Sequence, residues 1–195
     1  MSKARLEAFS DGVIAIIITV MVLNLTIPRG TDFAAIATVV PVFLNYVLSF
    51  VYVGIYWNNH HHLLHTIQRV HGGILWANLY LLFWLSLFPF VTGWMGQNYS
   101  AAVPTAIYGG VLLMAGIAYW NLERVLIAAE GPDSLLARAI GNDFKGHLSL
   151  LLYALGIAAA FYSRLVAQML YVTVALIWLI PDRRIEREIK RRERS

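Results

Sequence analysis

Met1-Ser2-Lys3-Ala4-Arg5-Leu6-Glu7-Ala8-Phe9-Ser10-Asp11-Gly12 leads straight into the apolar run Val13 to Ile27, which Pro28 stops. From about residue 6 onward, this segment is long enough to cross a bilayer as a helix. It nevertheless carries Ser10, Asp11, Thr19, Asn24 and Thr26. A carboxylate inside a span costs roughly 2.5–3.5 kcal/mol on insertion scales, so Asp11 has to face protein or water. On a wheel of about 100° per residue, Gly12, Ile16, Thr19, Val20, Leu23 and Ile27 fall within roughly 60° of Ile16. Asp11 points about 140° from Ile16, and Ser10 about 120°. The helix thus has one apolar face with a single hydroxyl. It has another face, polar near its N-terminal end, whose groups need partners elsewhere in the protein.

The rest of the composition agrees with a membrane setting. Hydrophobic residues make up 59% and charged residues 13%, against about 45–50% and 25% in a soluble domain. The net charge of +4 comes mostly from the C-terminal tail, so nucleic acid is not implied. With no cysteine, disulfides and thiolate metal sites are excluded. Glu7 and Asp11 interrupt the apolar part of the N-terminus and no clean small-x-small cleavage site follows, so the segment reads as retained rather than as a signal peptide.

Spanning-length stretches recur at about 6–27, 34–59 (continuing as helix as far as His65 in one reading), 70–94, 102–128, 147–163 and 165–180. Six transmembrane helices are therefore expected, the last two as a tight hairpin around Ser163-Arg164. Turn signals fall between them at Pro28-Arg29-Gly30, His71-Gly72-Gly73, Gly96-Gln97-Asn98, Glu130-Gly131-Pro132-Asp133 and Pro181. With the N-terminus inside, thirteen of the 15 Lys and Arg residues lie on the inner side, leaving Arg29 and Arg164 outside. That bias puts both termini in the cytoplasm. The expected organisation is an all-α integral membrane domain over residues 1–181 and a basic cytoplasmic tail over 182–195. The tail reads as a positive-inside flank near anionic headgroups.

The second span ends Tyr56-Trp57-Asn58-Asn59-His60-His61-His62-Leu63-Leu64-His65, and the third carries His71, Trp76 and Asn78. Both lie at the membrane level of Arg5 to Asp11. Lipid offers buried donors and acceptors no partner, so these groups are expected to bond one another and tie the first helix to the second and third. His61 and His65 sit at i and i+4, a spacing that can hold a metal. No Glu lies between them in the zincin manner, and six histidines are too few for a di-iron oxygenase. No metal or other cofactor is expected; the alternatives are network histidines and a proton-titrating role.

Arg5-x-x-x-Phe9-Ser10-Asp11 at the start of a first transmembrane helix resembles the signature of the transmembrane-protein 175 family, the lysosomal and bacterial potassium channels. The likeness extends to chain length and span count, and so covers essentially all 195 residues. It implies a network of Arg5, Phe9, Ser10 and Asp11 with His and Asn from the second and third helices. By position these are His60, His61 and Asn78, with the adjacent histidines leaving the match open by one residue. It also implies a homotetramer with the first helices around a central pore lined by Ile16, Thr19, Val20, Leu23 and Ile27. Animal members carry two six-helix repeats per chain; here there is one set, so four copies are required.

Such a pore is physically consistent. Rings of Ile16 and Leu23 would shed water when narrow and wet when widened, and Thr19 would offer hydroxyl oxygens to a partly dehydrated cation. No acidic residue sits on the stripe, so selectivity would rest on size, hydroxyls and dehydration. The filter sequence Thr-Val-Gly-Tyr-Gly is absent, and Thr92-Gly93-Trp94-Met95-Gly96 is only superficially like it. There is no arginine ladder of a voltage sensor. The expectation is a leak-like, potassium-preferring channel in a bacterial plasma membrane, with the bilayer, further copies of itself and monovalent cations as partners, and no enzymatic activity. The alternative is a secondary transporter or proton-coupled cation carrier using Asp11 and the histidines. Mid-membrane broken helices and inverted repeats, the marks of such carriers, are not apparent.

Overall fold

The computed structural model describes residues 2–67, 69–132, 134–140 and 143–179. The expected basic tail, 182–195, and the break at Pro181 lie outside them. The described residues form α1 (Lys3–Leu23), α2 (Phe33–His65), α3 (Gly72–Ser86), α4 (Phe88–Gln97), α5 (Ala102–Glu130), α6 (Leu135–Ile140), α7 (Phe144–Ala160) and α8 (Arg164–Leu179). Four stretches are long and apolar enough to span a bilayer: α1, α2, the α3–α4 pair and α5. Helices α7 and α8 are apolar but shorter, at 17 and 16 residues. At 1.5 Å per residue each reaches about 25 Å.

Local chemistry sets most of these boundaries. Ser2 caps α1 by accepting from the Arg5 amide, and Asp32 caps α2 through Ala35. His71 caps α3 by accepting from the Gly73 amide on Nδ1. Such caps satisfy amides that have no partner within the helix. Gly131 follows α5 at φ 95°, a backbone angle that glycine adopts without steric penalty. Helix α2 does continue through the histidine cluster to His65. The third expected span is divided at Leu87, with Pro89 in the first turn of α4. There the missing amide of proline is least disruptive.

Helix α1 ends at Leu23, four residues short of the expected limit. Asn24 serves as its C-cap and donates from Nδ2 to the Pro89 carbonyl at 3.3 Å. Ile27 therefore lies beyond the helix, and the wheel that grouped it with Leu23 does not apply to it.

Helix α1 packs on α2, α3 and α4, while α5 packs on α3, α4, α7 and α8. With no hydrophobic drive between helices in lipid, close association depends on small residues at the contact. Tyr171 of α8 shows this. Its ring lies against Gly156 of α7 and its hydroxyl against Gly109 of α5, each so close that a β-carbon would collide. The Tyr171 hydroxyl donates to the Thr105 carbonyl at 3.3 Å, and the Tyr52 hydroxyl donates to the Tyr171 carbonyl. A further buried chain runs Thr92 Oγ1 to Ser49 Oγ at 2.7 Å and Ser49 Oγ to the Tyr108 hydroxyl at 3.0 Å. It links α4, α2 and α5 where the membrane offers no water.

Candidate functional site

Leu6, Ser10, Ile14, Ile17 and Met21 recur at helical spacing and form the buried face of α1. Ser10 is the polar member of that stripe, and its surroundings satisfy it. His60 Nε2 lies 2.7 Å from Asn78 Oδ1, and Asn78 Nδ2 lies 3.0 Å from Ser10 Oγ. Ser10 donates in turn to the Leu6 carbonyl at 2.9 Å. Because the Asn78 amide nitrogen donates to Ser10, its oxygen accepts, so His60 carries its proton on Nε2. The three side chains are all buried. One from each of α1, α2 and α3, they make a directional chain in which every bond has one donor and one acceptor.

Asp11 takes a different partner. It accepts from Trp57 Nε1 at 3.0 Å on the exposed side of α2. His61 does not enter the chain: it is exposed, stacks on Trp57 and packs edge-on to His65 at 4.4 Å between ring centres. Lys3 donates from Nζ to the His65 carbonyl at 3.0 Å, fixing the start of α1 beside the end of α2. Arg5 and Phe9 are exposed. Among the described residues the Arg5 guanidinium makes no hydrogen bond or ion pair. Both lie within about 20° of Ile16 on the helical wheel, on the far side of α1 from Ser10. Within one protomer, then, Ser10, His60 and Asn78 meet, Asp11 meets Trp57, and Arg5, Phe9 and His61 stand outside that chain. Among the described residues no group of three or more His, Asp or Glu side chains is arranged to hold a metal.

The opposite face of α1 is uncovered. Ile16 is 64% and Leu23 76% exposed, and Thr19 and Val20 are exposed between them. Thr19 donates from Oγ1 to the Ala15 carbonyl at 2.9 Å. Its proton is thereby used within the helix, and the oxygen lone pairs are left to face outward. Ile16 and Val20 also border an open groove, with Ser86, Pro89 and Phe90 on its other side.

Sequence reasoning did not identify Trp57 as the partner of Asp11, nor Lys3 as a tie to α2. Trp57 lies one turn before the His60–His61 pair, and that i, i+3/i+4 spacing is the only signal that could have grouped it with them. The lysine bond ends on a backbone carbonyl, which leaves no mark in side-chain pattern.

These features define an integral membrane protein of packed helices whose first helix is anchored along one face and bare along the other. The chain belongs to the family described as "Endosomal/lysosomal potassium channel TMEM175", which matches residues 5–89. It is 55% identical over 190 residues to a Chryseobacterium protein named as a potassium channel, covering 97% of this chain and 99% of that one. A Streptomyces collinus protein, likewise named as a potassium channel, is 31% identical over 174 residues, with 83% of this chain and 84% of the other covered. The fold is similar to a crystal structure described as a lysosomal potassium-selective channel TMEM175 homolog from Chamaesiphon minutus. The TM-score is 0.79 at 25% identity, over 92% of this chain and 97% of that one. The family is one of ion channels rather than enzymes.

Proposed function

We propose that this protein is a potassium-preferring channel in which four copies surround an axis with their α1 helices, the bare face inward. Ile16 and Leu23 form apolar constrictions, Thr19 supplies a ring of hydroxyl oxygens between them, and Val20 completes the wall. Ile27 stands at the mouth, beyond the helix. The observation that carries this reading is the exposed Ile16–Thr19–Leu23 face set against the buried Leu6–Ser10–Ile14–Ile17–Met21 face of the same helix. With its proton bound to the Ala15 carbonyl, the Thr19 hydroxyl oxygen can still serve as an acceptor for a partly dehydrated cation. The relatives named as potassium channels support the same choice of ion.

In this assembly the Ser10–Asn78–His60 chain and the Asp11–Trp57 bond hold the foot of α1 against α2 and α3 while its other face meets the pore. Arg5 and Phe9, on the bare side, complete the foot across the neighbouring copy, with His61 at its rim. The six spans are α1, α2, α3 with α4, α5, α7 and α8. The distribution of basic residues supports both termini, and the tail over 182–195, in the cytoplasm of a bacterial cell, with the spans in its plasma membrane. Domain 1–181 is the channel itself, with potassium as its permeant ion.

The test is the purified protein in a planar bilayer with potassium and sodium on opposite sides. Discrete unitary currents with a reversal potential shifted toward that of potassium are expected. Stoichiometric flux without unitary events would replace the channel with a carrier.

A further inference from the structure

A second stripe of α2, away from His60, faces α5, α7 and α8 around a small cavity of about 40 Å³. Two carboxylates line it, Glu123 of α5 and Asp143 before α7, and no Lys, Arg or His does. Glu123 is only 8% exposed and among the described residues takes part in no hydrogen bond. Asp143 is fixed in place. Its Oδ1 accepts from the Gly146 amide at 3.0 Å as the cap of α7. Its Oδ2 occupies the space that a β-carbon on residue 146 would need, so glycine there is what seats the carboxylate. Arg124, the next residue after Glu123, is directed over the ring of Trp120 at 5.4 Å and is not part of the lining.

A buried carboxylate without a partner is expensive, and a second beside it adds repulsion. Arg124 offsets part of this charge from outside the lining, while the walls themselves hold no cation, so an ion between the two carboxylates would be stabilised. The neutral groups indicate the kind. Asn59 donates from Nδ2 to the Ile55 carbonyl at 2.9 Å, which leaves its Oδ1 as an acceptor for the cavity. Ser149 is already engaged, donating to the Lys145 carbonyl at 2.7 Å and accepting from Trp178 Nε1 at 2.8 Å. The available donors are all oxygen, with no sulfur and no imidazole, which selects hard cations. The cavity has room for an ion with one or two waters. Two carboxylates and an amide oxygen at one site favour a divalent ion over a monovalent one.

We propose that Glu123, Asp143 and the Asn59 side-chain oxygen form a binding site for a hard divalent cation of the magnesium or calcium class, within each protomer and apart from the α1 face. Waters complete its coordination, as such ions ordinarily allow. Asn59 immediately precedes His60, so the ion would steady the same end of α2 that holds Asn78.

The probe is terbium, an oxygen-seeking stand-in for calcium, added to the purified full chain in detergent. Trp120 and Trp178 line the cavity and would sensitise its luminescence. Saturable emission is expected, displaced by calcium or magnesium and not by sodium, potassium or choline at equal ionic strength. Glu123→Gln and Asp143→Asn should each raise the half-saturating concentration at least about tenfold, the order seen when a metal site loses a supporting group. Asparagine still caps a helix, so the second variant keeps the start of α7. Glu7→Gln, remote from the cavity, should leave the titration unchanged. Thermal unfolding serves as the second readout: calcium or magnesium should raise the midpoint of the wild type and not that of Glu123→Gln. Identical titrations for wild type and Glu123→Gln overturn the site. So does displacement by monovalent ions, or a wild-type midpoint indifferent to divalent ions, as a protonated, neutral Glu123 would give.

Discussion

Replacing Asn78 with leucine keeps the branching of the side chain but removes both polar groups of the buried chain. The His60 Nε2 proton, now 2.7 Å from where an acceptor had been, is left without a partner between α2 and α3. Ser10 keeps its bond to Leu6 and loses only an incoming one. A stranded buried donor costs about 1–3 kcal/mol, so Asn78→Leu alone should destabilise by about 2 kcal/mol. His60→Phe leaves the Asn78 oxygen unfilled, with a cost of similar order. Removing both partners together leaves no stranded donor on His60 and no empty acceptor on Asn78, a change that can be nearly neutral. The double variant should therefore lose less than the sum of the two singles, with a coupling of about 1–2 kcal/mol. That exceeds the ~0.6 kcal/mol average for hydrogen bonds between membrane helices because both partners here are buried and the bond is short. The assay is equilibrium unfolding in detergent micelles of rising SDS fraction, followed by tryptophan fluorescence. Effects that add to within about 0.5 kcal/mol would refute the His60–Asn78 bond as a link between α2 and α3.

Other consequences can be checked alongside. Leu23→Ala should widen the apolar constriction and raise leak current severalfold at equal surface expression; unchanged unitary current would remove Leu23 from the ion path. Thr19→Ala takes away the outward hydroxyl oxygen and should move the bi-ionic reversal potential toward equal potassium and sodium permeability. Gly109→Ala and Gly156→Ala each drive a methyl group into Tyr171 and should cost about 1–3 kcal/mol by overpacking. Tyr171→Phe should relieve part of the first and little of the second, since Gly109 meets the hydroxyl and Gly156 the ring edge. Equal rescue of both would contradict the packing of α8 between α5 and α7.

Much of this architecture is legible in the sequence because membrane helices declare themselves by long apolar runs and sharp breaks. The extension of α2 through His60 to His65 follows from the absence of Gly or Pro between Gly54 and Gly72. What escaped notice depended on single side chains reaching across helices. Helix α1 stops early because Asn24 turns to the Pro89 carbonyl, and an asparagine in an apolar run does not announce its partner. Pro89 marks a point where the third span can kink, but α3 and α4 together still read as one apolar stretch, so the full division at Leu87 does not show in the pattern. The short α6 lies in the mixed-charge connection of 129–146, where no periodicity points to a helix. His60 and His61 are identical in type and about 100° apart on the helix, so only the position of α3 decides which of them meets Asn78. Phe9 and Arg5 belong to the motif yet share the bare face with Ile16, which the wheel alone contains. Nothing in the sequence around Glu123 distinguishes it from an ordinary charge near a span end. Its burial appears only when α7 and α8 close over α5.

The most direct measurement is the symmetry and helix placement of the purified protein in lipid nanodiscs, by single-particle electron microscopy. The account predicts four protomers about one axis, with Ile16, Thr19 and Leu23 of each α1 directed at that axis and Ser10 directed away toward Asn78. A lone protomer, or an assembly whose α1 helices turn Ile16 and Leu23 to the surrounding lipid, would contradict it.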